Sequence, residues 1–187
     1  MLGCSATSPK RKRRVLWDES SGVPFRALTE TFLLISSTTK RLEIQSMLSE
    51  YFMGVIESGR GTGPADLIAS VYITLNKVAP EHEGVELGVG EALLLKAIAE
   101  STGRSLRQLK VDLQELGDVG LVAEKSRAGQ STMFRPRALT VCGVFERLKE
   151  IARAEGRESQ QKKLELIRGV LVACEHGHEA RFFVRAL

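Results

Sequence analysis

From residue 24 to the C-terminus, apolar residues recur at intervals of three and four, most of these runs open on a proline or a hydroxyl residue, and several close on a glycine. That spacing puts the apolar side chains on one face of a 3.6-residue helix, so a chain written this way buries its core between helices. Pro24 suits a first helical position, and Phe25, Leu28, Phe32 and Ile35 share one face behind it. Leu42, Leu48, Tyr51, Phe52, Val55 and Ile56 form a second stripe, which the glycine-rich stretch 59 to 64 must end. A third helix is predicted over residues 65 to 77 before Pro80, and a fourth over 90 to 101. Ser105 can cap a fifth bearing Leu106, Leu109, Leu113 and Leu116, which Gly117 stops. Thr140 caps one with Val144, Phe145, Leu148 and Ile151, Ser159 caps one with Leu164, Ile167 and Leu171, and a last helix starts near His178. Strand signals are weak, the best being Leu121-Val122-Ala123 and Met133-Phe134. The expectation is an all-α, compact multi-helix fold over residues 23–187, with room for two pseudo-symmetric helical halves.

Several function classes drop out. No apolar run approaches the roughly 18 residues of a membrane span, and no apolar signal core follows the basic N-terminus. Cys4, Cys142 and Cys174 are scattered and form no CxxC pair, so neither a disulfide framework nor a zinc site is expected. His176 and His178 alone make a weak ligand pattern. The glycines at 59 to 63 and 88 to 90 follow no strand and lack the Lys-Ser/Thr of a phosphate-binding loop, so they read as turns. No histidine is placed to activate a serine, and no catalytic residue is assigned.

The charge is informative in its distribution. The net +4 comes from residues 1–14, with five Lys/Arg and no acid. Residues 15–101 carry six bases and twelve acids, residues 102–187 sixteen bases and eleven acids. Phosphate attraction acts within about 10 Å at ordinary salt, so the local surplus in the second half counts for more than the total. Residues 1–22 lack apolar periodicity and read as a disordered arm. Its Lys10-Arg11-Lys12-Arg13-Arg14 run has the composition of a nuclear localisation signal, of a loose DNA-binding tail, or of merely solvated charge.

Two segments of the body stand out. Lys125, Arg127, Arg135 and Arg137 occur with no acid between 125 and 137, in a stretch whose Gly129, Gln130 and Ser131 read as a flexible loop. Lys162 and Lys163 follow Ser159, Gln160 and Gln161 in a first helical turn, where they oppose the helix dipole unless an anion is expected there.

Taken together, the stretches Glu86 to Arg104 (ELGVGEALLLKAIAESTGR), Gly117 to Arg127 (GDVGLVAEKSR), Leu139 to Phe145 (LTVCGVF), Lys162 to Cys174 (KKLELIRGVLVAC) and the closing HEARFFVRAL resemble the N-terminal DNA-binding domain of eukaryotic ATP-dependent DNA ligases, of the replicative type, over residues 23–187. The resemblance implies a helical domain lying across the minor groove of nicked double-stranded DNA and helping the catalytic and OB-fold domains of the same ligase encircle it, in the nucleus, during replication, repair and recombination. It implies DNA contacts from Thr102, Gly103 and Arg104, from Gly120, Leu121, Lys125, Ser126 and Arg127, and from Ser159, Gln160, Lys162 and Lys163.

The adenylation motif K-x-D-G is absent from the chain, and a sliding-clamp box of the Q-x-x-I-x-x-F-F kind is missing from its N-terminus. The chain is therefore expected to hold no cofactor of its own and to seal no nick alone, ATP and Mg belonging to the full-length ligase. Two other readings compete on the residues. In a winged-helix transcription regulator, 106 to 116 would be the recognition helix and 121 to 137 a strand-built wing. In a helical protein-interaction scaffold, the near-neutral body would bind a protein partner.

Overall fold

The computed structural model describes residues 22–58, 64–129 and 137–187. Among them it contains nine α-helices and no strand: α1 Phe25–Ser36, α2 Arg41–Ser58, α3 Ala65–Thr74, α4 Glu91–Thr102, α5 Leu106–Leu116, α6 Val119–Ala128, α7 Val141–Arg153, α8 Ser159–Ala173 and α9 Gly177–Arg185, with a 3-10 turn at Glu81–Glu83. The all-α expectation holds. The basic arm up to residue 21, the 59 to 63 glycines, Gln130, Ser131, Met133-Phe134 and Arg135 lie outside the described residues.

Local chemistry accounts for most boundaries. Ser105 accepts the Gln108 N–H, and the Gln108 side chain returns to the Ser105 N–H, a capping box at the start of α5. Thr140 caps α7 by accepting the Gly143 N–H. Gly103 and Gly117 end α4 and α5 in the left-handed conformation that only glycine adopts without strain.

Three boundary expectations are corrected. α3 stops at Thr74 rather than 77, because Asn76 takes a left-handed φ of 54° that no helix continues through. Ser159 is the first residue of α8 and not its cap; the helix starts from a backbone turn in which the Ser159 N–H donates to Gly156 O, with Gly156 at φ 90°. Leu121-Val122-Ala123 is no strand, and the segment leading into Lys125 and Arg127 is no loop. Asp118 accepts the Leu121 N–H and opens α6, whose Val119, Val122, Ala123 and Ser126 carry the 3/4 spacing. The apolar triplet and small residues hid that helix. With 121–128 helical, the strand-built wing that the transcription-regulator reading requires does not exist in the described residues.

The helices sort into two packed groups. In one, α1 lies against α2 and α7, and α3 against α2 and α7; in the other, α4 packs on α5, α6 and α8, and α6 on α5 and α9. Contacts of α1 with α9 and of α7 with α8 join them into one core around Phe25, Leu28, Ile98, Leu109, Leu148, Ile151, Ile167 and Phe183. Burying an aliphatic or aromatic side chain of this size stabilises by roughly 1.5–3 kcal/mol, so the core and not helix propensity holds the groups together. A short backbone clasp closes the assembly, with Phe25 N–H donating to Leu139 O and Val141 N–H to Val23 O, both 2.8 Å.

The α6–α9 contact is the most extensive helix pairing among the described residues. The two helices run antiparallel, Asp118 pairing with Arg185 at 2.7 Å and Glu124 with Arg181 at 3.2 Å. A Cβ on Gly120 would lie 2.9 Å from Arg181 O, and one on Gly177 would lie 3.0 Å from Glu124 O. Each helix offers the other a glycine, which lets the backbones meet.

Candidate nucleic-acid interface

Two basic corners emerge, at opposite ends of α8. The first gathers the α4–α5 connection and the C-terminal half of α6. Thr102 turns its hydroxyl back onto Ile98 O, and Gly103 is exposed with open space where a Cβ would be. Arg104 reaches across to α6: one terminal nitrogen donates to the Ser126 hydroxyl at 2.8 Å, the other lies 2.7 Å from Asp112 on α5. Lys125 donates to the other Asp112 oxygen at 2.8 Å, with Glu115 farther off at 3.9 Å.

One buried carboxylate thus holds two cations that come from different elements. The Asp112 side chain is only 9% exposed, while Arg104 is 27% and Lys125 51% exposed, so acid points inward and cations outward. The hydrogen bond from Lys125, followed by the adjacent Arg104 guanidinium, holds the Asp112 carboxyl below the usual aspartate range against the opposing effect of burial.

The remaining α6 residues of the expected site look inward. Arg127 is 7% exposed and donates through Nε to Cys174 O at 2.7 Å and through a terminal nitrogen to Val172 O at 3.3 Å, tying α6 to the C-terminal end of α8. Gly120 is buried in the α6–α9 contact, Leu121 is half-buried behind Asp118, and the Ser126 hydroxyl donates to Val122 O while accepting from Arg104.

The second corner is the turn into α8. Lys163, also 7% exposed, threads its ammonium onto Leu87 O at 2.7 Å and lies 3.5 Å from Gly88 O, so it anchors the turn before α4. Gln160 and Lys162 are exposed, and Ser159 is half-buried. With Lys163 at the start of α4, Arg168 facing Glu100 near its end, and Arg127 beyond Val172, α8 runs alongside α4. The corners thus lie toward opposite ends of α8.

The structure adds cations that the loop-centred reading passed over. Arg107 and Lys110 lie on the outer face of α5, three residues apart, with Val111 and Gln114 exposed beside them. Asp112 and Glu115 of that helix face Lys125. Arg157, in the turn that precedes α8, is exposed. Among the described residues, none of Arg107, Lys110, Arg157 and Lys162 makes an ion pair. The 3/4 spacing of Arg107, Lys110 and Gln114 opposite Leu109 and Leu113 could have identified the outer face. No group of three or more His, Cys, Asp or Glu residues able to hold a metal occurs among the described residues, and no helix there is long and apolar enough to cross a membrane.

The comparisons with known proteins agree with this architecture. The family model for the DNA ligase N terminus matches residues 24–187. DNA ligase 1 of Schizosaccharomyces pombe is 44% identical over 163 residues, 87% of this chain and 21% of the relative. DNA ligase 1 of Drosophila melanogaster is 42% identical over 183 residues, 98% of this chain and 23% of the relative, and that of Saccharomyces cerevisiae 40% over 169, 90% and 22%. The chain therefore spans between a fifth and a quarter of the length of these relatives. With a matched region running from the residue before α1 to the last residue, and relatives near 40% identity across it, the chain belongs to the DNA ligase N-terminus family.

Proposed function

We propose that this chain is the DNA-gripping part of an ATP-dependent DNA ligase, holding nicked duplex DNA through minor-groove and phosphate contacts while the catalytic and OB-fold domains of the same protein seal the break in replication and repair. Family membership carries the reading, and two exposed basic corners on one rigid helical frame support it. Contacts of this kind read little sequence, which suits an enzyme that must act on breaks anywhere. In this reading Thr102, Gly103, Arg104 and Lys125 meet the backbone at one corner, and Ser159, Gln160 and Lys162 meet it at the other. Gly120, Leu121, Ser126, Arg127 and Lys163 hold those residues in place.

ATP and Mg belong to the catalytic part of such a ligase, and the workplace is the nucleus. Fluorescence anisotropy of a labelled nicked duplex over a salt series tests the grip: affinity should fall steeply and log-linearly as salt rises. A flat response would overturn it. Charge reversal at Lys125 and Lys162 should abolish binding, whereas a protein-interaction scaffold would keep its partner.

A further inference from the structure

The strongest unassigned feature is the buried carboxylate in the first corner. An acid is an unexpected neighbour for cations that meet phosphates, since it cancels part of the charge that attracts DNA. Asp112 nonetheless sits between Arg104 at 2.7 Å and Lys125 at 2.8 Å, nearly out of solvent, while both cations keep an exposed side. Arg104 has a second anchor in the Ser126 hydroxyl at 2.8 Å, so its guanidinium plane is fixed by two contacts on two helices.

We propose that Asp112 is a positioning residue for DNA binding: it locks Arg104 and Lys125 in a preorganised pair whose remaining N–H groups face the phosphate backbone. The assignment rests on the DNA-gripping reading. Its physical content is entropic. A free arginine or lysine side chain loses rotamer freedom when a contact fixes it, and a carboxylate that fixes it beforehand removes that cost from binding. The gain competes with the lost charge, and the two effects have opposite signs in a substitution.

Asp112→Asn separates them. If Asp112 only neutralises charge, removing it raises affinity for the nicked duplex. If it positions the pair, affinity falls about five-fold and the slope of log affinity against log salt becomes shallower by about one, the value for one lost phosphate contact. Glu115→Gln is the charge control: it removes an acid near Lys125 without touching Arg104, and binding should stay equal or tighten. Should the Asp112→Asn variant fold poorly by circular dichroism, Arg104→Lys serves instead. It keeps the charge but not the planar fork that reaches both Ser126 and Asp112, and it should lose affinity to a similar extent.

Asp112→Asn, or failing that Arg104→Lys, binding as tightly as wild type with an unchanged or steeper slope overturns the assignment. Wild-type protein whose binding shows no salt dependence overturns the DNA reading and the assignment with it, so the two failures are told apart by the wild-type titration alone.

Discussion

The two basic corners use adjacent cations in different ways. At the α4–α6 corner, Arg104 and Lys125 are held at the surface by a buried acid, and Arg127, two residues on from Lys125, is drawn inside to cap the end of α8. At the α8 turn no acid pairs with either lysine among the described residues: Lys163 is buried on two backbone carbonyls, while Lys162 is exposed. In each corner one cation of a close pair works as structure and the other stays available. A local excess of positive charge therefore marks a region, but helical phase decides which members of it can reach a ligand.

The sharpest way to break this comparison is Arg127→Ala. If the buried guanidinium is structural, the variant should lose about 2–4 kcal/mol in urea unfolding, because the Cys174 and Val172 carbonyls lose a charged donor and a void opens. A loss below roughly 0.5 kcal/mol, that of a surface change, would return Arg127 to the surface class.

Gly120→Ala should follow at about 1–3 kcal/mol, since its methyl would press on Arg181 O across the α6–α9 contact. Thermal denaturation of this variant beside Gly103→Ala would sharpen the point. The Gly103 methyl meets open space, leaving only the strain of a φ of 71°, on the order of 1 kcal/mol.

At the second corner, Lys163→Met should cost about 1–2 kcal/mol of stability by leaving Leu87 O without its donor. Lys162→Met should leave stability within about 0.5 kcal/mol of wild type and instead make the salt slope of DNA binding shallower by about one. Equal behaviour of the two lysines in both measurements would erase the distinction drawn between them.

The smallest effect expected is a pH dependence. Asp112 has its folded pKa depressed by Lys125 and Arg104, so its contribution to stability is present above the ordinary aspartate value of 3.8 and is lost as pH falls through the lower folded value. Melting temperature followed from about pH 6 downward should therefore drop less steeply below about pH 4 in Asp112→Asn than in wild type, with the curves parallel at higher pH. A parallel course throughout would mean that the carboxylate gains nothing from its two partners.

Where apolar side chains are large and regularly spaced, the sequence was legible. Leu109, Leu113, the Ser105 cap and the Gly117 stop marked α5, and the Thr140 cap with Val144, Leu148 and Ile151 marked α7, because each helix carries its own pattern and its own start signal. α6 escaped because its buried face is Gly120, Val122, Ala123, Ser126 and Arg127, residues chosen for close approach and internal hydrogen bonding more than for apolar bulk. The candidate site was legible as two basic segments and no further. Nothing in the stretch of chain around Asp112 indicates that Arg104 and Lys125 meet there.

From its order of residues alone this protein is committed to helices, to a charge surplus in its second half and to its family, since propensity, capping and composition act over a few neighbouring positions. Which cations face outward was decided by tertiary packing. Burial and side-chain bonding depend on residues well separated in the chain, such as Arg104 with Ser126 and Lys163 with Leu87, and only the closed core brings those atoms within hydrogen-bonding reach.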